Sequence, residues 1–141
     1  MGFTIYANNG SISFDGGAGG FMSLRTNIAF AFDEMFGKHY YTLRYCHNED
    51  DFAAFNEKAI KILSEDRFKQ EDEDIIKFLY DSDIQGSVSH KTCKKIYDLI
   101  KDIDFGKKIF TYAAYSDGKD YEHFKDFLLE CYKYKRKMRW R

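Results

Sequence analysis

The chain has 141 residues, of which 44% are hydrophobic and 18% aromatic, and a formal net charge of −1. This composition is typical of one folded domain spanning residues 1–141, and it excludes a disordered chain. A net charge near zero gives no bulk attraction to phosphate, so nucleic acid is not an expected partner.

The chain begins with two short apolar runs on either side of Asn8-Asn9-Gly10, namely Phe3 to Ala7 and Ser11 to Phe14. Asn-Gly between alternating apolar runs signals a tight turn, because both residues tolerate a positive φ. We therefore predict an N-terminal β-hairpin.

A glycine-rich stretch, Asp15 to Gly20, comes next and leads into a helical pattern. The apolar positions of that pattern are Phe21, Leu24, Ile28, Ala31, Phe32 and Met35, with Gly37 as its predicted C-cap. A glycine loop before a helix can present free N–H groups to an anion, but no Gly-Lys-Ser/Thr follows here. Arg25 is either a solvated side chain or a cation beside the glycine loop.

Segment His39 to Cys46 is rich in aromatic residues and fits either a strand or a helix. Cys46 and His47 are adjacent, and His90 lies three residues before Cys93, spacings that match no standard zinc site. Cys93 and Cys131 fall on apolar helix faces and are predicted to be small core residues of a reduced, cytoplasmic protein. We predict no metal and no cofactor.

The next helix begins at Asn48, and acidic residues fill its first turn, where the helix dipole favours anions. Its apolar stripe consists of Phe52, Phe55, Ala59, Ile62 and Leu63. The following helix starts with an acidic cluster, Glu71, Asp72, Glu73 and Asp74. This cluster is either a solvated helix start or a surface that imitates a phosphate backbone for a basic partner.

A polar loop from Phe78 to Ser89 separates two helical patterns, and Ser89 is the predicted N-cap of the second. Aligned with a calcium loop, Asp81, Asp83, Gln85, Gly86 and Ser87 occupy the first, third, fifth, sixth and seventh places. Thr92 replaces the bidentate Glu of the twelfth place, which leaves two carboxylates, too few for tight binding. We favour a turn in which Gly86 has a positive φ and Asp83 caps a backbone N–H.

The C-terminal part contains an apolar segment, Lys107 to Tyr115, that fits a strand or a helix, and then a final helix predicted to extend to Met138. The last nine residues concentrate basic side chains: Lys133, Lys135, Arg136, Lys137, Arg139 and Arg141. They form either an exposed solubilising terminus or a nucleic-acid patch with Tyr134 and Trp140 as stacking groups.

Several segments resemble a diverse group of small uncharacterised proteins that are common in phage and prophage genomes. They are the opening Met-Gly-Phe-Thr-Ile-Tyr, Gly19 to Arg25, Ser82 to Gly86, Cys93 to Ile96 and the final Met138-Arg139-Trp140. This chain departs from the pattern in two places. Asp15 to Ala18 stand where the pattern has a Ser and an aromatic residue before the Gly-Phe segment, and Gln85 stands where it has an acidic residue before the glycine.

The resemblance implies a non-catalytic antagonist of bacterial defence that inhibits a host defence protein, as an anti-CRISPR does, in the host cytoplasm. The alternative is a sponge that sequesters a nucleotide signal, and the second alternative is a degenerate calcium-binding helix–loop–helix module. The ligand-binding residues that it implies are Gly19, Gly20, Phe21, Arg25, Ser82, Asp83 and Gly86. The partner-binding residues would be the acidic cluster, Glu71 to Asp74.

The fold predicted from these patterns is α+β, with an N-terminal β-hairpin, one or two further strands and about five helices around one core. No nucleophilic triad is visible, so we predict no enzyme activity. No segment is long enough to span a membrane. The 14 Phe and 11 Tyr residues exceed what one small core hides, which favours a partner or homo-oligomer interface.

Overall fold

The structure is a computed structural model that describes residues 3–7, 13–16, 20–82, 85–104 and 119–141. Within these ranges it is α+β, mostly helical with a small antiparallel sheet. The helices are α1 (Gly20–Phe32), α2 (Glu34–Tyr41), α3 (Glu49–Leu63), α4 (Glu73–Tyr80), α5 (His90–Ile100) and α6 (Lys119–Lys133), and the strands are β1 (Phe3–Ala7), β2 (Ser13–Gly16), β3 (Gly86–Val88) and β4 (Met138–Trp140). Short 3₁₀ helices cover Thr42–Tyr45 and Gln70–Asp72. The predicted Asn8-Asn9-Gly10 turn and the segment 107–115 lie outside the described residues.

The four strands form one antiparallel sheet in the order β2-β1-β4-β3. β1 pairs with β2, with Ile5 opposite Phe14. The first strand has its predicted bounds, whereas the second extends to Gly16 and not, as predicted, only to Phe14. β4 lies in the middle of the sheet, where Trp140 is opposite Ile5 on one side and Gly86 on the other. Both ends of the chain and the loop between α4 and α5 therefore meet in one sheet.

The prediction that the final helix extends to Met138 is wrong, because α6 ends at Lys133. Lys135 has a φ of 54°, and the N–H of Arg136 donates to the carbonyl of Cys131 at 2.8 Å. The N–H of Lys135 also donates to Tyr132, at 3.2 Å. These two bonds form a Schellman motif, which closes the helix and releases an extended strand.

The predicted helix from Phe21 to Gly37 is two helices, because Asp33 starts a new one. The Asp33 carboxylate accepts a hydrogen bond from the N–H of Phe36 at 2.9 Å and caps α2. Gly37 is therefore inside α2 and is not a C-cap. A Cβ there would lie 2.5 Å from the Cα of Phe30, so glycine allows α1 and α2 to pack closely. The segment around residues 38–46, for which the sequence left strand and helix open, is helical: it contains the end of α2 and then the 3₁₀ helix Thr42–Tyr45.

The hydrophobic core lies between the helices and one face of the sheet. Ile5, Met138 and Trp140 are buried on that inner face. The indole of Trp140 contacts the rings of Phe21 on α1 and Phe78 on α4, with both centroid distances 5.5 Å. None of the described helices is both long and apolar enough to cross a bilayer.

Candidate functional site

Arg25 lies inside the core, although the sequence predicted either a solvated side chain or a cation beside the glycine loop. Only 5% of its surface is exposed. Its guanidinium carbon lies 4.2 Å from the ring centroid of Phe21, 5.3 Å from that of Phe78 and 5.5 Å from that of Trp140. A buried cation beside several ring faces is stabilised by their quadrupoles. Phe21 and Arg25 meet because they lie four residues apart on α1.

The C-terminal end of α4 receives hydrogen bonds from three side chains that are distant in sequence. Arg25 donates to the carbonyls of Asp81 at 2.7 Å and Ser82 at 3.3 Å. The indole Nε1 of Trp140 donates to the same Ser82 carbonyl at 2.8 Å, and the Tyr40 hydroxyl donates to Leu79 at 2.6 Å. A cation at this end of a helix also complements its dipole.

Gly86 belongs to the same cluster, for a different reason from the one predicted. It lies in β3 and has no positive φ, so the predicted left-handed turn is wrong. Its missing side chain leaves room for Trp140, since a Cβ would lie 2.2 Å from the indole Cζ2. Glycine is needed here because an aromatic ring packs against the strand backbone.

The structure thus brings together four of the predicted ligand-binding residues, Phe21, Arg25, Ser82 and Gly86, around Trp140. Gly20 is the first residue of α1. Gly19 and Asp83 lie outside the described residues. Since the Arg25 guanidinium already binds backbone carbonyls inside the core, these contacts anchor the loop after α4 to α1 and to β4.

The predicted partner-binding cluster, Glu71 to Asp74, spans the end of the 3₁₀ helix and the start of α4, and it is at least partly exposed. The Asp72 carboxylate accepts from the N–H of Lys69 at 2.9 Å. Lys95 on α5 binds the Asp74 carboxylate at 3.0 Å and the Glu71 carbonyl at 2.8 Å. Glu71 and Glu73 are exposed, so their carboxylates can meet a partner.

A cleft of about 380 Å³ adjoins this acidic cluster, and we call it the α1–α5 cleft. Aromatic and aliphatic side chains and charged groups line it together: Phe32, Asp33, Arg67, Phe68, Lys69, Glu71, Asp72 and Leu99. The rings of Phe32 and Phe68 lie 5.7 Å apart. The cleft therefore combines apolar surface with charged groups.

A bidentate ion pair stiffens the mouth of the cleft. Arg67 donates to the two carboxylate oxygens of Asp33 at 2.8 and 3.0 Å, and its guanidinium also lies 4.5 Å from the Phe68 ring centroid. The hydrogen bond from Arg67 lowers the pKa of the Asp33 carboxyl below its usual value of 3.8. Asp33 is thus charged at neutral pH, and it both caps α2 and holds Arg67.

A smaller cleft of about 240 Å³ lies between α4, β3 and α5. Asp81, Ser87, Ser89 and Thr92, from the first, seventh, ninth and twelfth places of the calcium-loop alignment, all line it, together with Asp74 and Lys77. Ser89 caps α5 by accepting from the N–H of Thr92 at 3.3 Å, as predicted. Across the described ranges no group of three or more His, Cys, Asp or Glu side chains is placed to hold a metal ion.

The cysteines Cys93 and Cys131 are both fully buried, which confirms their prediction as core residues. A hydrogen bond with Cys131, followed by burial, raises the pKa of the Cys93 thiol. Cys93 is therefore a neutral thiol at physiological pH and a poor nucleophile.

Five residues that line the α1–α5 cleft were not identified from the sequence: Asp33, Arg67, Phe68, Lys69 and Leu99. Leu99 could have been identified from the sequence, because it is an apolar residue outside the buried stripe of α5 that contains Cys93, Ile96 and Ile100. No local sequence pattern indicates the role of Arg67, because its partner Asp33 is 34 residues away.

Comparisons of this chain with protein-family models, with curated proteins and with solved structures found no match.

Proposed function

We propose that this chain is a non-catalytic binding protein that antagonises bacterial defence by occluding a host defence protein, in the manner of an anti-CRISPR. The observation that carries the proposal is the α1–α5 cleft next to the exposed carboxylates of Glu71 and Glu73. The resemblance to small phage proteins supports the antagonist role and a site of action in the host cytoplasm.

The cleft has the properties of a pocket that receives one anchoring side chain of a protein partner. Phe32, Phe68 and Leu99 offer apolar surface, and about 380 Å³ accommodates an aromatic or Arg side chain. Met35, 55% exposed, extends the apolar surface at the mouth, where its sulfur lies 3.7 Å from an Arg67 nitrogen. The Asp33–Arg67 pair is already ordered, so binding costs little extra side-chain entropy there.

The acidic cluster indicates which kind of partner surface the cleft would face. Glu71, in the 3₁₀ helix Gln70–Asp72, lines the cleft, and Glu73 is the first residue of α4; both residues are exposed. Exposed carboxylates attract basic surfaces and accelerate the encounter with them. Nucleases that act on nucleic acid carry such basic surfaces, and the proposed partner is a defence nuclease covered at its nucleic-acid groove.

The test measures target cleavage by a panel of purified RNA-guided nucleases as this protein is titrated in. We expect stoichiometric inhibition of at least one of them. The double variant Glu71→Lys/Glu73→Lys should need at least about ten-fold more protein for half-inhibition, equivalent to about 1.4 kcal/mol. The control Glu57→Lys/Glu130→Lys makes the same charge change at exposed positions on α3 and α6 and should inhibit normally.

Two outcomes would reject the proposal: inhibition of no nuclease in the panel, or equal loss of inhibition in both double variants. Native mass spectrometry of freshly purified protein tests the nucleotide-sponge alternative, which requires an added mass equal to that of a nucleotide. A charge-reversing substitution of Arg25 would not distinguish a protein inhibitor from a nucleotide sponge. This side chain is buried and binds the carbonyls of Asp81 and Ser82, so its loss would disturb the fold in either case.

A further inference from the structure

Basic and buried apolar residues alternate along the C-terminal strand. Met138 and Trp140 in β4 are buried, and Lys137, Arg139 and Arg141 occupy the intervening positions. Successive side chains of a strand point to opposite faces, so these three cations lie on the outer face of the sheet. They are spaced roughly 6 to 7 Å apart along the strand.

An aromatic ring lies beside these cations on the same face. Tyr6 of β1 is the register partner of Arg139, and the guanidinium of Arg141 lies 5.0 Å from the Tyr6 ring centroid. Thr4 exchanges two backbone hydrogen bonds with Arg141, at 2.9 and 3.0 Å, and these bonds hold the backbone of Arg141, the last of the three cations, against β1.

A second aromatic–cation group precedes the strand, at the end of α6. Tyr134 is 52% exposed. The guanidinium of Arg136 lies 5.0 Å from its ring centroid, and the ammonium of Lys133 lies 5.5 Å from it. Residues 133–141 contain six basic residues and no acidic residue.

We infer that this surface, the basic strip formed by residues 133–141 with Tyr6, binds single-stranded nucleic acid. Cations on an extended strand neutralise phosphates, and tyrosine faces beside them offer stacking surfaces for bases. An acidic protein as the partner would account for the cations, but it would not account for the Tyr6 and Tyr134 rings beside them. The net charge of −1 does not oppose this, because the acidic residues cluster elsewhere, as in Glu71 to Asp74.

This inference is independent of the proposed inhibitor function, because the basic strip shares no residue with the α1–α5 cleft. It also corrects the role considered for Trp140, which is 1% exposed and packs in the core, so it is no exposed stacking group. Tyr134 and Tyr6 take that role.

The experiment is fluorescence anisotropy of a labelled oligothymidylate at several salt concentrations. Each cation–phosphate contact contributes roughly 0.7 to the slope of log affinity against log salt. The variant Lys137→Glu/Arg141→Glu should therefore lower the slope by about 1.4. The control Lys58→Glu/Lys61→Glu, at exposed positions on α3, should bind with the unchanged slope.

A second variant tests stacking separately from charge. Tyr134→Ala should lower the affinity at least about five-fold and leave the salt slope unchanged, since base–aromatic stacking does not displace counterions. Circular dichroism confirms folding of each variant. If the double charge variant unfolds, Lys137→Gln at its exposed position replaces it, with an expected slope change of about 0.7.

Three results would overturn the inference. The first is no saturable binding of the oligonucleotide by the unaltered protein, and the second is an equal loss in the α3 control. The third is full competition by polyglutamate together with an unaffected Tyr134→Ala variant, which would assign the basic strip to an acidic protein.

Discussion

Replacing Arg25 with Met tests whether this cation holds the loop after α4 in place. The substitution keeps an unbranched side chain and removes the guanidinium. The 2.7 Å bond to Asp81 is worth about 2 kcal/mol, and the longer 3.3 Å bond to Ser82 about half of that. Contacts with three ring faces add about 1 kcal/mol, and the apolar packing of Met offsets about 1 kcal/mol. The expected net loss in the free energy of unfolding is about 3 kcal/mol.

Urea denaturation followed by circular dichroism measures this loss. With a denaturant slope of about 2 kcal/mol/M, the unfolding midpoint should fall by about 1.5 M. Arg25→Lys keeps the charge, but its compact ammonium cannot reach both carbonyls, so it should lose about half as much. A domain of this size has about 5–15 kcal/mol of stability, so the Met variant should still fold.

The matched control is Lys38→Met on α2, which removes an exposed cation that forms a 3.5 Å ion pair with the exposed Glu34. Its free energy of unfolding should change by less than about 0.5 kcal/mol. The reasoning about Arg25 is refuted if Arg25→Met costs less than about 1 kcal/mol, or if it costs no more than Lys38→Met.

Gly86→Ala should lower the free energy of unfolding by about 2–3 kcal/mol in urea denaturation, because the new methyl group overlaps the buried indole of Trp140, and an unchanged midpoint would contradict this packing. Lys135→Gly should raise the thermal midpoint, with a gain of about 0.5–1 kcal/mol, because glycine adopts a φ of 54° without steric cost, and a lower midpoint would exclude strain at this residue. Asp33→Asn should keep the α2 cap but lose the carboxylate that binds Arg67. Because the folded-state pKa of Asp33 is lowered, its contribution to the free energy of unfolding is complete at neutral pH and is lost as the pH falls below 3.8. The native protein should therefore be more stable than the Asp33→Asn variant at neutral pH but not in acid, and a stability difference that persists in acid would refute the assignment.

Residues from three separate parts of the chain meet at the C-terminal end of α4, and each part belongs to one of the short segments on which the resemblance was based. The segments around Phe21 and Arg25, around Ser82 and Gly86, and at Trp140 meet in one cluster. Their separation in sequence hides a shared role in the fold, and the ligand-binding role that the resemblance implies stays a prediction.

The sequence by itself determined the features that depend on neighbouring residues. Ser89 caps α5 as predicted, and the helix predicted to begin at Asn48 has this residue as its N-cap, because a cap bonds an N–H group only three residues along the chain. The burial of Cys93 and Cys131 followed from helical periodicity in the same way. Phe52 is an exception, since α3 packs along only part of its apolar stripe and leaves this ring 43% exposed.

Only the tertiary structure decided the features that depend on distant partners. Three-residue strands such as β3 and β4 carry too little pattern to be recognised, and they exist because each finds a partner across the sheet. Arg25 looked like a surface cation because its acceptors lie 56 and 57 residues away. The α1–α5 cleft likewise joins residues from separate elements, so no local pattern contains it. Local hydrogen bonds and periodicity are encoded within a few residues, whereas packing and clefts arise only when the chain has closed on itself.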